Sequence, residues 1–264
     1  MKKNKTLVTA GIVSYGSAEE VVKAATSVIE HTKDVNLQLM ILDNASPDGT
    51  TEQLKNTTFA KNVFLKCSSK NVGFGKAHNL IFHMLNKTKK SKYHVVINPD
   101  IVLENDTISQ ICAWLDQHPD VVMVTPQLRF PDGSPQQTPK RFPSLLALTA
   151  RQLRLPFLKK VEQHYLMLDQ DLSKPTDVEF CSGCFFVIRS DIYAKMGGFD
   201  PRYFVYVEDA DITRKALKYG RAVYYPDAWV YHAWHRDANK KWKNFFMQLN
   251  SMFQYWHKWG FKWI

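Results

Sequence analysis

The stretch Phe199–Gly220, FDPRYFVYVEDADITRKALKYG, brings three carboxylates, Glu208, Asp209 and Asp211, behind a run of aromatic residues. Read as a helix over Glu208–Tyr219, it places Asp209, Ile212, Ala216 and Tyr219 on one face, and Glu208, Asp211, Lys215 and Lys218 on another. Asp211 and Lys215 then stand at ion-pair spacing, and Gly220 is placed to end the helix. On this phase Glu208 and Asp211 have a surface explanation and Asp209 does not. A carboxylate on the apolar face of a first turn is costly unless it meets a polar cleft. Asp209 is therefore the candidate general base, with an acid favoured by the helix dipole as the structural alternative.

Three further polar clusters need elements to position them. TLVTAGIV (6–13) reads as a buried strand, and Ser17–His31 as an amphipathic helix opened by a Ser17/Glu20 capping box. Strands follow at 37–43, 62–66, 94–97 and 121–125, with helices running from 71–75 to about 85 and over 106–117. This alternation predicts an α/β fold with a mostly parallel sheet flanked by helices. Ligands of such sheets bind beyond the C-terminal strand ends. Asp43–Asp48, Asn71–Gly75 and Asn98–Asp100 all stand there. Gly73 and Gly75 lack the third glycine of a dinucleotide fingerprint, but a glycine loop at a helix start can admit a phosphate or a ring.

At 264 residues the chain suits one α/β domain with an appended segment. We expect a catalytic domain over 1–235 and a basic, aromatic helical segment over 236–264, packed on the domain and facing a membrane. MKKNK runs straight into a strand and no apolar run reaches bilayer length, which predicts a cytoplasmic protein. The net charge of +10 calls for an anionic partner. The basic residues gather in 139–160 and 236–262, interleaved with leucines and aromatics, while the N-terminal sheet carries no nucleic-acid motif. That pattern favours an anionic membrane surface over nucleic acid. A C-terminal helix packed on the domain is the alternative.

In order, IVSYG (12–16), ILDNASPDGT (41–50), NVGFGKAHN (71–79), NPD (98–100), CSGCFFVIR (181–189), the acidic stretch above and AWVYH (228–232) resemble the family 2 glycosyltransferases of GT-A, Rossmann-like fold. Within them they resemble the bacterial rhamnosyltransferase-like group. It implies inverting transfer of a sugar from a nucleotide diphosphate donor, assisted by Mg²⁺ or Mn²⁺. The donor it implies is dTDP-L-rhamnose, with UDP-hexoses as the alternative. The implied acceptor is a polyprenyl-diphosphate-linked saccharide at the inner face of the plasma membrane, in the synthesis of cell-surface polysaccharide. Asp209 matches the family's base. Val13, Tyr15 and Asp43 match the residues around the donor's base and ribose, with Asn71, Gly73, Phe74 and Asn79 shaping the donor pocket. Gly183, Glu208 and Arg141 fall to the acceptor and sugar pocket. Asp100 resembles the surviving acid of an Asp-x-Asp element whose first position is here Asn98, leaving a partly hydrated metal site with His232 as second protein ligand.

Each assignment has a plainer reading. Asp43 can simply start a turn, Asn98-Pro99-Asp100 can be one, and His232 can be a satisfied buried histidine. Cys181-x-x-Cys184 with His232-x-x-His235 has the count of a zinc site, but residues three apart on a strand point to opposite faces. The Asn98 departure also leaves open a binding module that keeps the fold without the chemistry.

Overall fold

The computed structural model describes residues 5–147, 150, 156–233, 242–261 and 263, with the backbone alone at 156 and 242–246. His235 and, from the basic stretches 139–160 and 236–262, Leu148, Arg151, Leu153, Arg154, Leu155 and the side chains of Trp242, Phe245 and Phe246 lie outside the described residues.

The N-terminal half follows the expected alternation. Strand β1 (Leu7–Ser14) is followed by α1 (Ala18–His31), β2 (Asn36–Asp43), α2 (Thr50–Asn56), β3 (Val63–Cys67), α3 (Phe74–Leu85) and β4 (Tyr93–Ile97). β1 to β4 lie parallel in the order β3-β2-β1-β4. α2 was hidden in the sequence by the turn formers that precede it. The Ser17/Glu20 capping box does not form. Ser17 sits in the left-handed region at φ 58°, where its side chain makes no cap bond, and its N–H is instead taken by Asp48 Oδ2 at 3.2 Å.

The second half departs from a parallel repeat. β5 (Ile101–Val102), α4 (Thr107–Gln117) and β6 (Val121–Arg129) lead through α5 (Lys159–Tyr165) and β7 (Thr176–Asp177) to β8 (Phe185–Arg189) and α6 (Ser190–Lys195). Then come α7 (Glu208–Ala216), β9 (Arg221–His232) and α8 (Trp242–Trp259). β8 inserts antiparallel between β4 and β6, and β9 adds parallel to β6. The sheet is therefore mixed, and β9 carries a register shift where Pro126 and Gln127 face it. Gly220 is no helix cap: a Cβ there would stand 2.6 Å from the Asp120 carbonyl, so the glycine permits the close approach of the loop entering β6.

Helices cover both faces. Val21, Ala24 and Val28 of α1, Leu54 of α2 and Ile108, Ile111 and Leu115 of α4 bury one face with Val8, Ala10 and Ile12. Ala77, Ile81 and Leu85 of α3 bury the other with Val13, Met40 and Leu42. Tyr193 of α6 and Ile212 and Ala216 of α7 continue that second layer over β8. Burial at about 25 cal/mol per Å² of apolar surface makes this two-sided core the rigid base for the strand-end loops.

Candidate active site

The loops beyond β1, β2 and β3 meet, as the sequence order requires. Asn44 ties the first two clusters together. Its Nδ2 donates to Asn71 Oδ1 at 3.0 Å, and its Oδ1 accepts from the Val72 N–H at 3.0 Å. Asn71 Oδ1 also takes the Gly73 N–H at 2.9 Å. Asp43, fully buried at the end of β2, accepts from the hydroxyls of Ser46 and Thr51. Ser46 Oγ in turn receives the Gly16 N–H at 2.7 Å. Tyr15 stands beside this frame with 59% of its surface exposed.

Several expected donor-side residues are committed elsewhere. The Val13 side chain packs with Met40, Ala77 and Ile81 in the core, not at the strand-end surface. Asn79 holds the Phe199 backbone, accepting from its N–H at 2.9 Å and donating to its carbonyl at 2.8 Å, and accepts from the Tyr193 hydroxyl at 2.8 Å. The space that Gly73 and Gly75 leave open is filled by protein rather than by a phosphate. A Cβ on Gly73, at φ +85°, would meet the Phe204 carbonyl at 2.6 Å, and one on Gly75 would meet Phe199 Cβ at 2.7 Å. The Phe74 N–H donates to that Phe204 carbonyl at 3.0 Å, and its ring stacks edge-on with Phe199. The glycines thus dock the aromatic loop of 199–207 on the start of α3.

That loop presents the acids. Tyr206 and Val207 both adopt left-handed backbone, at φ 70° and 67°, a costly state for a β-branched valine. Directly after them α7 begins with Glu208, which is buried, and Asp209, which is half-buried. Asp209 Oδ2 accepts the Gly183 N–H at 3.2 Å and Oδ1 the Ala210 N–H at 3.0 Å. A Cβ on Gly183 would lie 3.2 Å from that of Asp209, close enough to press on that side chain. Burial pushes the Asp209 carboxyl above its ordinary value, against the charge of Lys140 and the two backbone donors. Burial and the Asp209 charge push Glu208 up to about 8. Glu208 Oε2 has no hydrogen-bond partner among the described residues. Two backbone donors and the Lys140 charge favour the ionised form of Asp209, and Glu208 has no such cation, so of the two acids Glu208 is the one better placed to keep a proton.

The expected phase of α7 is corrected at Asp211. It is fully buried, not on the surface face, and its partners are Lys258 Nζ at 2.7 Å and Trp259 Nε1 at 2.7 Å rather than Lys215. Lys215 donates to the Gly198 carbonyl. Arg141, expected near the acceptor, forms a two-pronged pair with Asp169 at 2.8 and 3.0 Å, which ties its loop to the end of α5.

Asp100 and His232 are brought together by the short antiparallel pairing of β5 with β9, in which Ile101 faces His232. His232 Nε2 lies 3.2 Å from Asp100 Oδ2, and Nδ1 lies 2.9 Å from Gln136 Oε1. Gln136 Nε2 also grips the His232 carbonyl at 2.7 Å. Burial opposes the imidazolium, but hydrogen bonds and charge from Asp100 and Cys184 outweigh it and raise the ring to about 10. The Asn98 N–H meets the Cys184 carbonyl at 2.8 Å, bringing the third cluster beside Gly183. Cys181 goes to the core around Val96 and Phe186, whereas Cys184 packs on the opposite layer, so the two do not form one ligand set. Among the described residues no three His, Cys, Asp or Glu side chains gather as a metal cluster. One carboxylate and one imidazole, once a cation displaces the Nε2 proton, still suit a hydrated divalent metal, whose remaining positions water or a ligand's oxygens would fill.

Sequence reasoning missed Lys140 and Gln136 as contributors to the site. Lys140 appeared only as one charge in a basic stretch, yet a bridge to Phe180 sets it over that ring at 5.0 Å, with its charge felt at Asp209. No local pattern marks either residue.

Among solved structures, the chain resembles GalNAc-T7 crystallised with UDP, GalNAc and Mn²⁺ at a TM-score of 0.67 and 14% identity, over 89% of this chain and 45% of that one. It also resembles the mannosyltransferase PcManGT of Pyrobaculum calidifontis, in complex with GDP-Man and Mn²⁺, at 0.62 and 17%, over 95% and 63%. These likenesses show the GT-A fold. Among curated proteins, the N-acetylglucosaminyl-diphospho-decaprenol L-rhamnosyltransferase of Mycobacterium tuberculosis is 28% identical over 206 residues, spanning 74% of this chain and 66% of that protein. Rhamnosyltransferase WbbL of Escherichia coli is 23% identical over 189 residues, 69% of each chain. The model of glycosyl transferase family 2 matches residues 9–197, and this chain belongs to that family.

Proposed function

We propose that the protein is an inverting glycosyltransferase that moves L-rhamnose from dTDP-L-rhamnose to a hydroxyl of a polyprenyl-diphosphate-linked saccharide. The observation that carries the reaction type is the uneven acid pair: Asp209, whose carboxylate accepts the Gly183 and Ala210 N–H groups, and Glu208 buried beside it. The sugar and acceptor rest on the resemblance to the rhamnosyltransferases of M. tuberculosis and E. coli, the first of which takes a decaprenol-linked acceptor by its name.

In this reading Asp209 accepts the acceptor's proton as its oxygen attacks the anomeric carbon from the face opposite the departing diphosphate. The lack of a side chain at Gly183 leaves room for the sugar beside that carboxylate. Tyr15 stacks on the base, and the Asp43–Ser46–Gly16 chain of hydrogen bonds shapes its pocket. Asp100 and His232 would hold Mg²⁺ or Mn²⁺, whose charge would stabilise the leaving nucleoside diphosphate. Gln136 keeps the imidazole aimed.

The acceptor would be met at an anionic membrane surface on the cytoplasmic side. Among the described residues no helix is long and apolar enough to cross a membrane. Phe253, Phe261 and Trp263 are exposed in a chain of ring contacts through Trp256 at the C-terminal end, the kind of surface that enters a headgroup layer. The test is transfer by the purified full chain to N-acetylglucosaminyl-diphospho-polyprenol from a panel of nucleotide sugars, with and without chelator. Transfer from dTDP-L-rhamnose that chelation stops is expected. Turnover with UDP-hexoses alone would replace the donor, and donor binding without any turnover would leave a binding module.

A further inference from the structure

The buried Asp211 has no task in the reaction as described, and its partners lie far along the chain. Lys258 Nζ reaches Asp211 Oδ1 at 2.7 Å and Asp200 Oδ2 at 2.8 Å, so one ammonium joins carboxylates at the two ends of the segment 200–211. Arg202 pairs with the same Asp200 at 2.7 Å. Trp259 Nε1 gives Asp211 a second donor at 2.7 Å. Inside this clasp lie the left-handed Tyr206 and Val207, then Glu208 and Asp209. α8 adds two more holds: Ser251 Oγ donates to the Val205 carbonyl at 2.8 Å, and Tyr255 packs with Tyr203, Ala210 and Val207.

A left-handed valine persists only where its surroundings over-determine it. A buried ion pair is a poor source of net stability, because desolvation offsets much of the attraction, so its better use is to select one conformation. Helix geometry supplies the link. At 3.6 residues per turn, side chains two apart point about 200° from each other. Asp211 thus faces α8 while Asp209 faces Gly183, and a rotation of α7 that freed one would swing the other off its donors.

We infer that Lys258 and Trp259 are positioning residues: through Asp211 they clasp the strained turn and set the aim of Asp209. This rests on the reading of Asp209 as the base and adds the element that orients it. The experiment uses the full chain with Lys258→Met, Lys258→Arg and Trp259→Phe. It measures kcat, donor KM and amide hydrogen exchange over 203–210, with Tyr93–Ile97 of β4 as the folded reference.

Lys258→Met should lower kcat roughly 10- to 100-fold, the cost of a small misplacement, with donor KM held within about threefold. Exchange over 203–210 should speed up while β4 stays protected. Lys258→Arg, which can still bridge two acids, should restore most of kcat. Trp259→Phe keeps an aromatic ring and loses the Nε1 donor, so it should show the same split at smaller size even if Lys258→Met does not fold. A kcat within about twofold of wild type in Lys258→Met and Trp259→Phe, with unchanged exchange over 203–210, overturns the inference. So does a loss that Lys258→Arg fails to restore and that is accompanied by faster exchange throughout β4. A wild-type chain that transfers no sugar while 203–210 is well protected contradicts the functional reading instead, and the exchange comparison still decides whether α8 clasps the turn.

Discussion

The two sides of the site are built on opposite principles. On the donor side, around Asp43, Asn44 and Asn71, polar groups satisfy one another: each carboxamide and carboxylate has short-range partners from neighbouring loops. On the acid side, two carboxyls are buried next to each other, backbone is strained, and the carboxyls of Glu208 and Asp209 and the ring of His232 are moved from their ordinary acidities. A saturated network shapes a pocket without reacting. An unsatisfied, desolvated pair stores the difference in proton affinity that acid–base chemistry draws on. Changes on the first side should therefore alter binding, and changes on the second should alter rate.

The largest effect that would separate them is at the base. Asp209→Asn should cut kcat roughly a thousandfold with donor affinity within about threefold, as read by transfer kinetics and calorimetric titration of the donor. Next is the pair of candidate metal ligands. Asp100→Ala should lower kcat by roughly 10²- to 10³-fold, and chelation of the wild-type chain should do likewise, since both remove charge from the leaving group. Donor-side Tyr15→Ala should raise donor KM about tenfold and leave kcat nearly unchanged, the value of one ring stacked on a base. A kcat effect at Tyr15 as large as that at Asp100 would erase the contrast.

The smallest effect concerns stability. The Glu208 carboxyl lies at about 8 in the folded chain against an ordinary 4.5, so the folded state prefers the protonated form. Its contribution is fully present below pH 4.5 and is lost as pH rises through 8. Glu208→Gln keeps the neutral shape and should raise the melting temperature by a few degrees at pH 9, and hardly at all at pH 4. An equal shift at both pH values would show that Glu208 is not held protonated by the fold.

The β-α rhythm of the first hundred residues was legible because each buried strand and amphipathic helix announces itself locally. So was the gathering of Asp43, Asn71 and Asp100 at one edge, which follows from strand direction alone. The insertion of β8 between β4 and β6 was not, since strand order is a long-range property without local sequence cost. The phase of α7 misled at Asp211 for a related reason. A carboxylate near lysines looks like a surface residue, and nothing local tells that Lys258 and Trp259 bury it from the far end of the chain. The glycines at 73 and 75 were read as room for a ligand, and the room is taken by Phe204 and Phe199. Asp209 was singled out on a helix-face argument whose partner assignments were wrong, but the environment that sets its charge, with Gly183 and Lys140, comes only from tertiary structure.

The account depends most on where the single proton of the acid pair resides. Infrared difference spectra of the wild-type chain, Glu208→Gln and Asp209→Asn at pH 7 read it directly through the C=O stretch of a protonated carboxyl. The account predicts one buried carboxylic acid band in the wild type, absent in Glu208→Gln and retained in Asp209→Asn. A band that survives in Glu208→Gln and disappears in Asp209→Asn would put the proton on Asp209 and leave it unable to act as the base.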